Sequence, residues 1–312
     1  MTAPVNTREA APQPEWVRRP ERSNMTMLRL MTWISLRLGR PSARLVLAGI
    51  SLYFLLFAPA AKAASRIYLR QVLGRAPRFA DVYRHFHSFA STIHDRVFLL
   101  NARFDLFDVS VHGEDVIREV LAAGRGAFLM GAHMGSFEAV RAIGRRQPGL
   151  RVAMVMYEEN ARKLNAALAA IHPAAVEDIV PLGRLDSMLR VQTCLDEGMV
   201  LGVLGDRSLG DDPALRVPFL GKLADFPLGP MRLAAMLKRP VLFMSGLYLG
   251  GNRYAVHFER LADFSDIGRT ERAAAIEAAV RAYAACLERH CRATPYNWFN
   301  FFDFWRLQGP RP

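Results

Sequence analysis

The chain has 312 residues, 51% of them hydrophobic, and a formal net charge of +12 at pH 7. It is long enough to bury one large core, and neither internal repeats nor low-complexity tracts interrupt it. Only four of its 41 basic residues are lysine, the arginines are dispersed, and no zinc finger, RNP-type aromatic motif or basic region occurs; nucleic acid is thereby excluded as a partner, and the charge suits anionic lipid or an acidic carrier protein.

From the N-terminus, residues 1–24 carry Pro4, Pro12, Pro14 and Pro20 among mostly polar residues and read as a disordered tail. Residues 25–84 read as a membrane-associating helical segment, and 85–312 as the catalytic domain. Met25 to Leu38 is an arginine-bearing amphipathic stretch suited to anionic headgroups. Leu45 to Ala61 is a charge-free run of 17 residues, at the short limit for a span. Arginines precede it at 29, 37, 40 and 44, and Lys62, Arg66 and Arg70 follow it. Cations on both sides fit an interfacial or re-entrant helix pair better than a clean crossing; a buried helix hairpin is the alternative. Next, His85, His87 and His94 lie in a helical pattern with Phe86, Phe89, Ile93, Val97 and Leu100, and read as packing or surface histidines.

Met130 to Glu138 holds the pattern richest in chemistry. His133 and Glu138 are five apart, so on one helix they would sit roughly 140° apart, unlike the i,i+4 pair of a zinc helix; no metal is expected there. Ala127 to Met130 reads as a strand and a helix begins near Ser136, which places His133 in the connecting turn. Glu138 then falls in the first helical turn, where the macrodipole favours negative charge, as an acid able to orient an imidazole base. The amides near Gly135 and Ser136, at a helix start, are candidates for stabilising an oxyanion.

Beyond it the chain alternates: strands at Val152–Met156, Ile179–Leu182, Met199–Leu204, Val241–Tyr248 and Tyr254–Phe258, and helices at Asn160–Ile171, Asp186–Glu197, Leu228–Leu237 and Arg272–Arg292. The expected fold is α/β, a mixed and largely parallel sheet flanked by helices, with the N-terminal hydrophobic helical element attached. Ligands in such folds collect at the carboxyl ends of strands. His133 follows one such end, and Gly205-Asp206-Arg207 follows another. The Arg207 fork suits a phosphate or polar sugar groups, with Asp206 fixing it or receiving a hydroxyl; a plain turn with a local ion pair is the alternative. Arg162 is a lesser candidate. Pro218-Phe219-Leu220-Gly221 and Phe226-Pro227-Leu228-Gly229-Pro230 read as a Gly/Pro-rich apolar loop framing an acyl-chain groove. Cys194, Cys286 and Cys291 are odd in number and lack metal or redox spacing, so they read as packing residues in a reducing compartment. His257 and His290 lack neighbours of catalytic type, and His172 sits at a helix end before Pro173.

These residues resemble the bacterial lipid A biosynthesis (lauroyl/myristoyl) acyltransferase branch of the lysophospholipid-acyltransferase-like superfamily. His133 to Glu138 looks like its HxxxxE box, Gly205-Asp206-Arg207 like its second block, the Pro218 and Phe226 segments like its third, and Pro295 to Trp305 like its aromatic C-terminal signature. Typical members carry Asp-Gln where this chain has Asp206-Arg207, so the chain looks closer to the sister group of aryl polyene and xanthomonadin-type pigment clusters. The resemblance implies a glycerolipid acyltransferase-like fold and transfer of an acyl chain from an acyl carrier protein thioester to a hydroxyl of a lipid or glycolipid. It also implies no metal, no cofactor and no covalent enzyme intermediate, with work at the cytoplasmic face of the bacterial inner membrane. His133 is the implied general base, oriented by Glu138, with Gly135, Ser136, Asp206, Arg207, Phe219 and Gly221 binding substrate. The aromatics Trp298 to Trp305 read as a membrane belt, an acyl-tunnel wall, or a segment docked on the core. Alternatives are an acyltransferase using coenzyme A thioesters and a lysophospholipid, and a non-catalytic membrane-surface scaffold.

Overall fold

The computed structural model describes residues 25–146, 151–157, 166, 168–169, 171, 179–182, 185–207 and 213–305. The expected tail at 1–24, Arg162, His172 and most of the expected helix 160–171 lie outside the described residues.

Three helices come first: α1 (Met25–Phe57), α2 (Pro59–Leu73) and α3 (Phe79–Leu100). α1 is two helices joined across a kink at Gly39, whose φ of 77° suits glycine, and Pro41 follows inside the second half. The apolar run 45–61 is likewise divided, because α1 ends at Phe57 and Pro59 opens α2, so it forms a helix pair. Thr32–Phe57 is the one described stretch long and apolar enough to cross a membrane, with mean hydropathy 1.3. Its inward side docks on α3 through polar clasps: Ser35 with His94, Ser51 with His87, and a two-pronged Arg40–Asp95 pair at 2.7 and 2.8 Å. Its other side leaves Trp33, Leu45, Val46, Tyr53, Leu56 and Phe57 more than half exposed.

The α/β part follows as β1 (Asp108–His112), α4 (Glu114–Ala122), β2 (Ala127–Gly131), α5 (Phe137–Arg146), β3 (Val152–Tyr157), β4 (Ile179–Leu182), α6 (Leu185–Asp196) and β5 (Val200–Leu204). Then come the hairpin β6 (Ala214–Phe219) and β7 (Lys222–Pro227), α7 (Gly229–Met236), β8 (Pro240–Gly250), β9 (Arg253–Asp263) and α8 (Arg272–Ala293). Seven strands form one sheet in the order β1-β9-β8-β2-β5-β3-β4. All neighbouring pairs are parallel except β8–β9.

β2 is buried at every residue, as a parallel strand covered on both faces must be. Its side chains divide by alternation. Ala127 and Leu129 pack with Ile117 and Val120 of α4 and Val140 and Ile143 of α5, while Phe128 and Met130 join the core under α8, α7 and the hairpin. The chain leaves β2 toward the β3 edge and leaves β5 toward β8, so strand order reverses beside the carboxyl ends of β2 and β5. Open α/β sheets take ligands at such a point.

Candidate active site

Strand register assembles the centre. In the parallel β2–β5 pair Gly131 lies opposite Leu204, and both strands end there. Two residues further along each chain come His133 and Asp206, which the register sets side by side. Asp206 Oδ1 lies 2.8 Å from His133 Nδ1, and the His133 backbone N–H donates to Oδ2 at 3.0 Å. Trp298 Nε1 and Asn300 Nδ2 donate to the same Oδ2 at 2.9 and 3.0 Å. An ionised carboxylate only accepts, so Nδ1 carries the imidazole proton and Nε2 keeps its lone pair.

Electrostatics agree with that assignment. Burial alone pushes the Asp206 pKa up, but the His133 imidazole, the Arg207 charge and the backbone donor outweigh it and hold the carboxyl well below its usual range. Burial and the Arg207 cation lower the His133 pKa below 6.5, against the opposite pull of Asp206. A neutral imidazole near pH 7 is what a general base requires.

Asp206, not Glu138, is therefore the acid bonded to the imidazole. Among the described residues no hydrogen bond joins Glu138 to His133. Glu138 Oε1 pairs with Arg96 of α3 at 2.6 Å, and its Oε2 accepts from Ser136 Oγ at 3.4 Å. The physical reason is local. His133 sits before the turn and Glu138 inside α5, so the carboxylate faces the neighbouring helix α3 rather than the strand ends.

The turn also uses the amides expected to stabilise an oxyanion. Gly135 N–H donates to Asn297 O at 2.9 Å and Ser136 N–H to Gly246 O at 2.7 Å. Both are engaged in fixing the turn between β8 and the C-terminal segment. Gly135 has a φ of 62°, and a Cβ there would lie 2.0 Å from Gly246 O, so neither conformation nor space admits a side chain. Ser136 Oγ accepts from Ala139 N–H at 3.3 Å, an N-cap for α5.

Arg207 Nε donates to Asn300 Oδ1 at 2.8 Å, and its guanidinium lies over the Phe302 ring at 5.4 Å. Burial pulls its pKa down to about 10, with Asp206 opposing, which leaves it charged at neutral pH. The aromatic segment is docked on the core: Trp298 is 0% exposed and edge-on to Tyr68, Phe219 and Phe304. The expected apolar loop 218–230 is largely the β6–β7 hairpin followed by the start of α7. Phe219 is fully buried against Phe226, Trp298 and Trp305, and Gly221 sits at the exposed hairpin turn with φ 82°. In this arrangement Phe219 is packed into the core and does not face a groove.

Sequence reasoning missed Arg96, Asn297 and Asn300. Asn297 clamps Tyr248 through both its main-chain groups, at 2.8 and 3.0 Å, and Phe299 N–H donates to His133 O at 2.7 Å. No spacing signal foretells such contacts, since Asn297 lies far along the chain from both Tyr248 and His133. For Asp206 a signal existed, a Gly-Asp-Arg directly after a buried strand, but its use depends on which strand is the neighbour.

Residues 17–307 match the family described as bacterial lipid A biosynthesis acyltransferase. No curated protein matches the sequence.

Proposed function

From the premise that this chain belongs to the bacterial lipid A biosynthesis acyltransferase family, and so is an acyltransferase acting on lipid, we propose an O-acyl transfer in which His133 is the base and Asp206 its orienting acid. The observation that carries this is the bond from His133 Nδ1 to a buried Asp206 at the carboxyl ends of β2 and β5. Nε2 takes the proton of the acceptor hydroxyl as its oxygen attacks the thioester carbonyl. The carbon–sulfur bond then breaks, and the imidazolium returns the proton to the departing thiolate. Asp206 stabilises the imidazolium throughout, and a positioned acid–base group of this kind contributes ~10²- to 10⁴-fold.

In this reading Glu138 is a positioning residue: its pairing with Arg96 ties the first turn of α5 to α3 and so fixes the turn that carries His133. Gly135 and Ser136 shape that same turn. With their amides engaged, Arg207 is the cation whose field reaches His133, and we assign it the negative charge brought by the substrates, the thioester oxyanion or a donor phosphate. The donor proposed is acyl carrier protein, acidic and complementary to the arginine-rich surface; the acceptor is a lipid or glycolipid hydroxyl. The exposed apolar side of α1 supports docking on the cytoplasmic leaflet of the inner membrane.

Purified enzyme in detergent, offered matched acyl carrier protein and coenzyme A thioesters with a membrane lipid extract, tests the reading. Transfer from the carrier protein that collapses in His133→Ala, with vesicle binding retained, is expected. Preference for coenzyme A overturns the donor assignment, and full activity in His133→Ala overturns the mechanism.

A further inference from the structure

A second polar cluster lies between β9 and α8 and has no part in the acyl-transfer chemistry. β9 carries His257 and Glu259, two apart and therefore on one face of the strand. α8 carries Cys286 and His290, four apart and therefore on one face of the helix. The donor atoms of Glu259, Cys286 and His290 all lie within 4.8 Å of one another. His290 Nε2 is 2.6 Å from Glu259 Oε1, and the His257 and His290 rings are 4.9 Å apart. Cys286 is 1% exposed and His290 7% exposed, so a buried thiol and a buried imidazole converge on a carboxylate that is 36% exposed. The Phe243 ring stacks on His290 and gives the cluster an apolar floor.

We propose that Glu259, Cys286 and His290, with His257 as fourth donor after rotation of its ring, form a site for a divalent cation of the zinc class. Sulfur, nitrogen and oxygen donors together suit zinc and disfavour magnesium and calcium, which take oxygen shells. A tetrahedral zinc ion with bonds of about 2.0–2.3 Å holds its donors roughly 3–4 Å apart, so the widest pair needs to close by roughly 1 Å. Thiolate and carboxylate neutralise the ion's two charges. Arg289, now paired with Glu259 Oε2 at 2.5 Å, yields that oxygen to solvent or keeps it as a bridging partner. A cysteine binds zinc as its thiolate, so the ion displaces the thiol proton on binding.

The consequence is mechanical. α8 leads directly into the segment that holds Asp206, and its Tyr283 hydroxyl donates to Gly131 O at 2.7 Å, at the end of β2. An ion joining α8 to β9 braces the platform of the acyl-transfer site from behind.

The test uses the full chain in detergent, stripped with a chelator and reloaded with zinc or magnesium chloride. Expected are one equivalent of zinc, no stoichiometric magnesium, a thiolate-to-metal charge-transfer band on cobalt substitution, and a zinc-dependent rise in unfolding temperature. Cys286→Ser and His290→Gln should weaken zinc binding by about tenfold or more, and Cys194→Ser should leave it unchanged. Absence of stoichiometric zinc, a cobalt spectrum without the thiolate band, or binding indifferent to Cys286→Ser and His290→Gln overturns the site. The cobalt spectrum of the unaltered chain decides the question even if a variant fails to fold.

Discussion

Replacing Asp206 by asparagine keeps the shape of the side chain, removes its charge and gives one end two hydrogens. Oδ2 faces three donors, His133 N–H, Trp298 Nε1–H and Asn300 Nδ2–H. The amide must therefore put its oxygen there and its NH2 toward His133 Nδ1. That nitrogen is then forced to accept, the imidazole proton moves to Nε2, and the atom that should take the hydroxyl proton already carries one. A loss of ~10²- to 10⁴-fold in kcat follows, or about 3–5 kcal/mol in the barrier. The three remaining bonds change from charge-assisted to neutral at about 1 kcal/mol each, so the unfolding temperature of a chain this long should drop by roughly 4–5 °C. Initial rates of thiol release from an acyl carrier protein thioester, dependent on added lipid acceptor, measure the first effect, and calorimetry the second. An Asp206→Asn enzyme within tenfold of the parent rate, or a Glu138→Gln enzyme with the greater loss in kcat, refutes the assignment of Asp206 as the orienting acid.

Four further outcomes are expected. Because partial burial and Arg207 lower the His133 pKa, the acid limb of kcat/KM should lie below pH 6.5, with a plateau through neutrality; a limb above that value contradicts a neutral base at His133. The depressed Asp206 pKa makes its contribution to stability complete above pH 3.8, the ordinary value, and lost as pH falls further, so acid unfolding of Asp206→Asn should depend less on pH in that range. Gly135→Ala adds to a left-handed backbone, which costs on the order of 1–3 kcal/mol in strain alone, a Cβ 2.0 Å from Gly246 O; urea unfolding and activity should both report it, while Gly221→Ala, with φ 82° but open space around it, should show the backbone strain without the clash. Arg40→Ala leaves buried Asp95 with Tyr254 but without its two-pronged partner, and thermal unfolding should show a loss of about 3–5 kcal/mol.

The buried strands and long helices were legible because apolar runs and helical periodicity are local. β2, β5 and β8 read correctly to within a residue or two, as did α8. β1 escaped notice: it is a five-residue edge strand with alternating half-buried positions, and so carries little apolar signal. The hairpin was hidden by its turn, where Leu220 at φ 51° precedes Gly221 at φ 82°. Such a turn ordinarily announces itself with Asn-Gly or Asp-Gly, and here a buried leucine, its amide bonded to Glu288 Oε2 at 2.7 Å, takes the first place. In the site, His133 and Asp206 were both visible as polar residues after apolar strands. Their partnership was not, because it depends on β5 returning to lie beside β2, a fact of topology that no spacing along the chain encodes. The choice of Glu138 as the orienting acid followed sequence proximity, and Arg96 on α3 claimed it through a contact 42 residues away in the chain.

Trp298 and Asn300 are the residues that close the carboxylate of Asp206 into its cage. A ribosome that has released the chain only as far as β9 has already delivered the base and its acid, yet no indole or amide to secure them. On the mechanism proposed above, acyl transfer thus waits on translation of the segment after α8, because the orienting acid is not fixed until that segment has emerged.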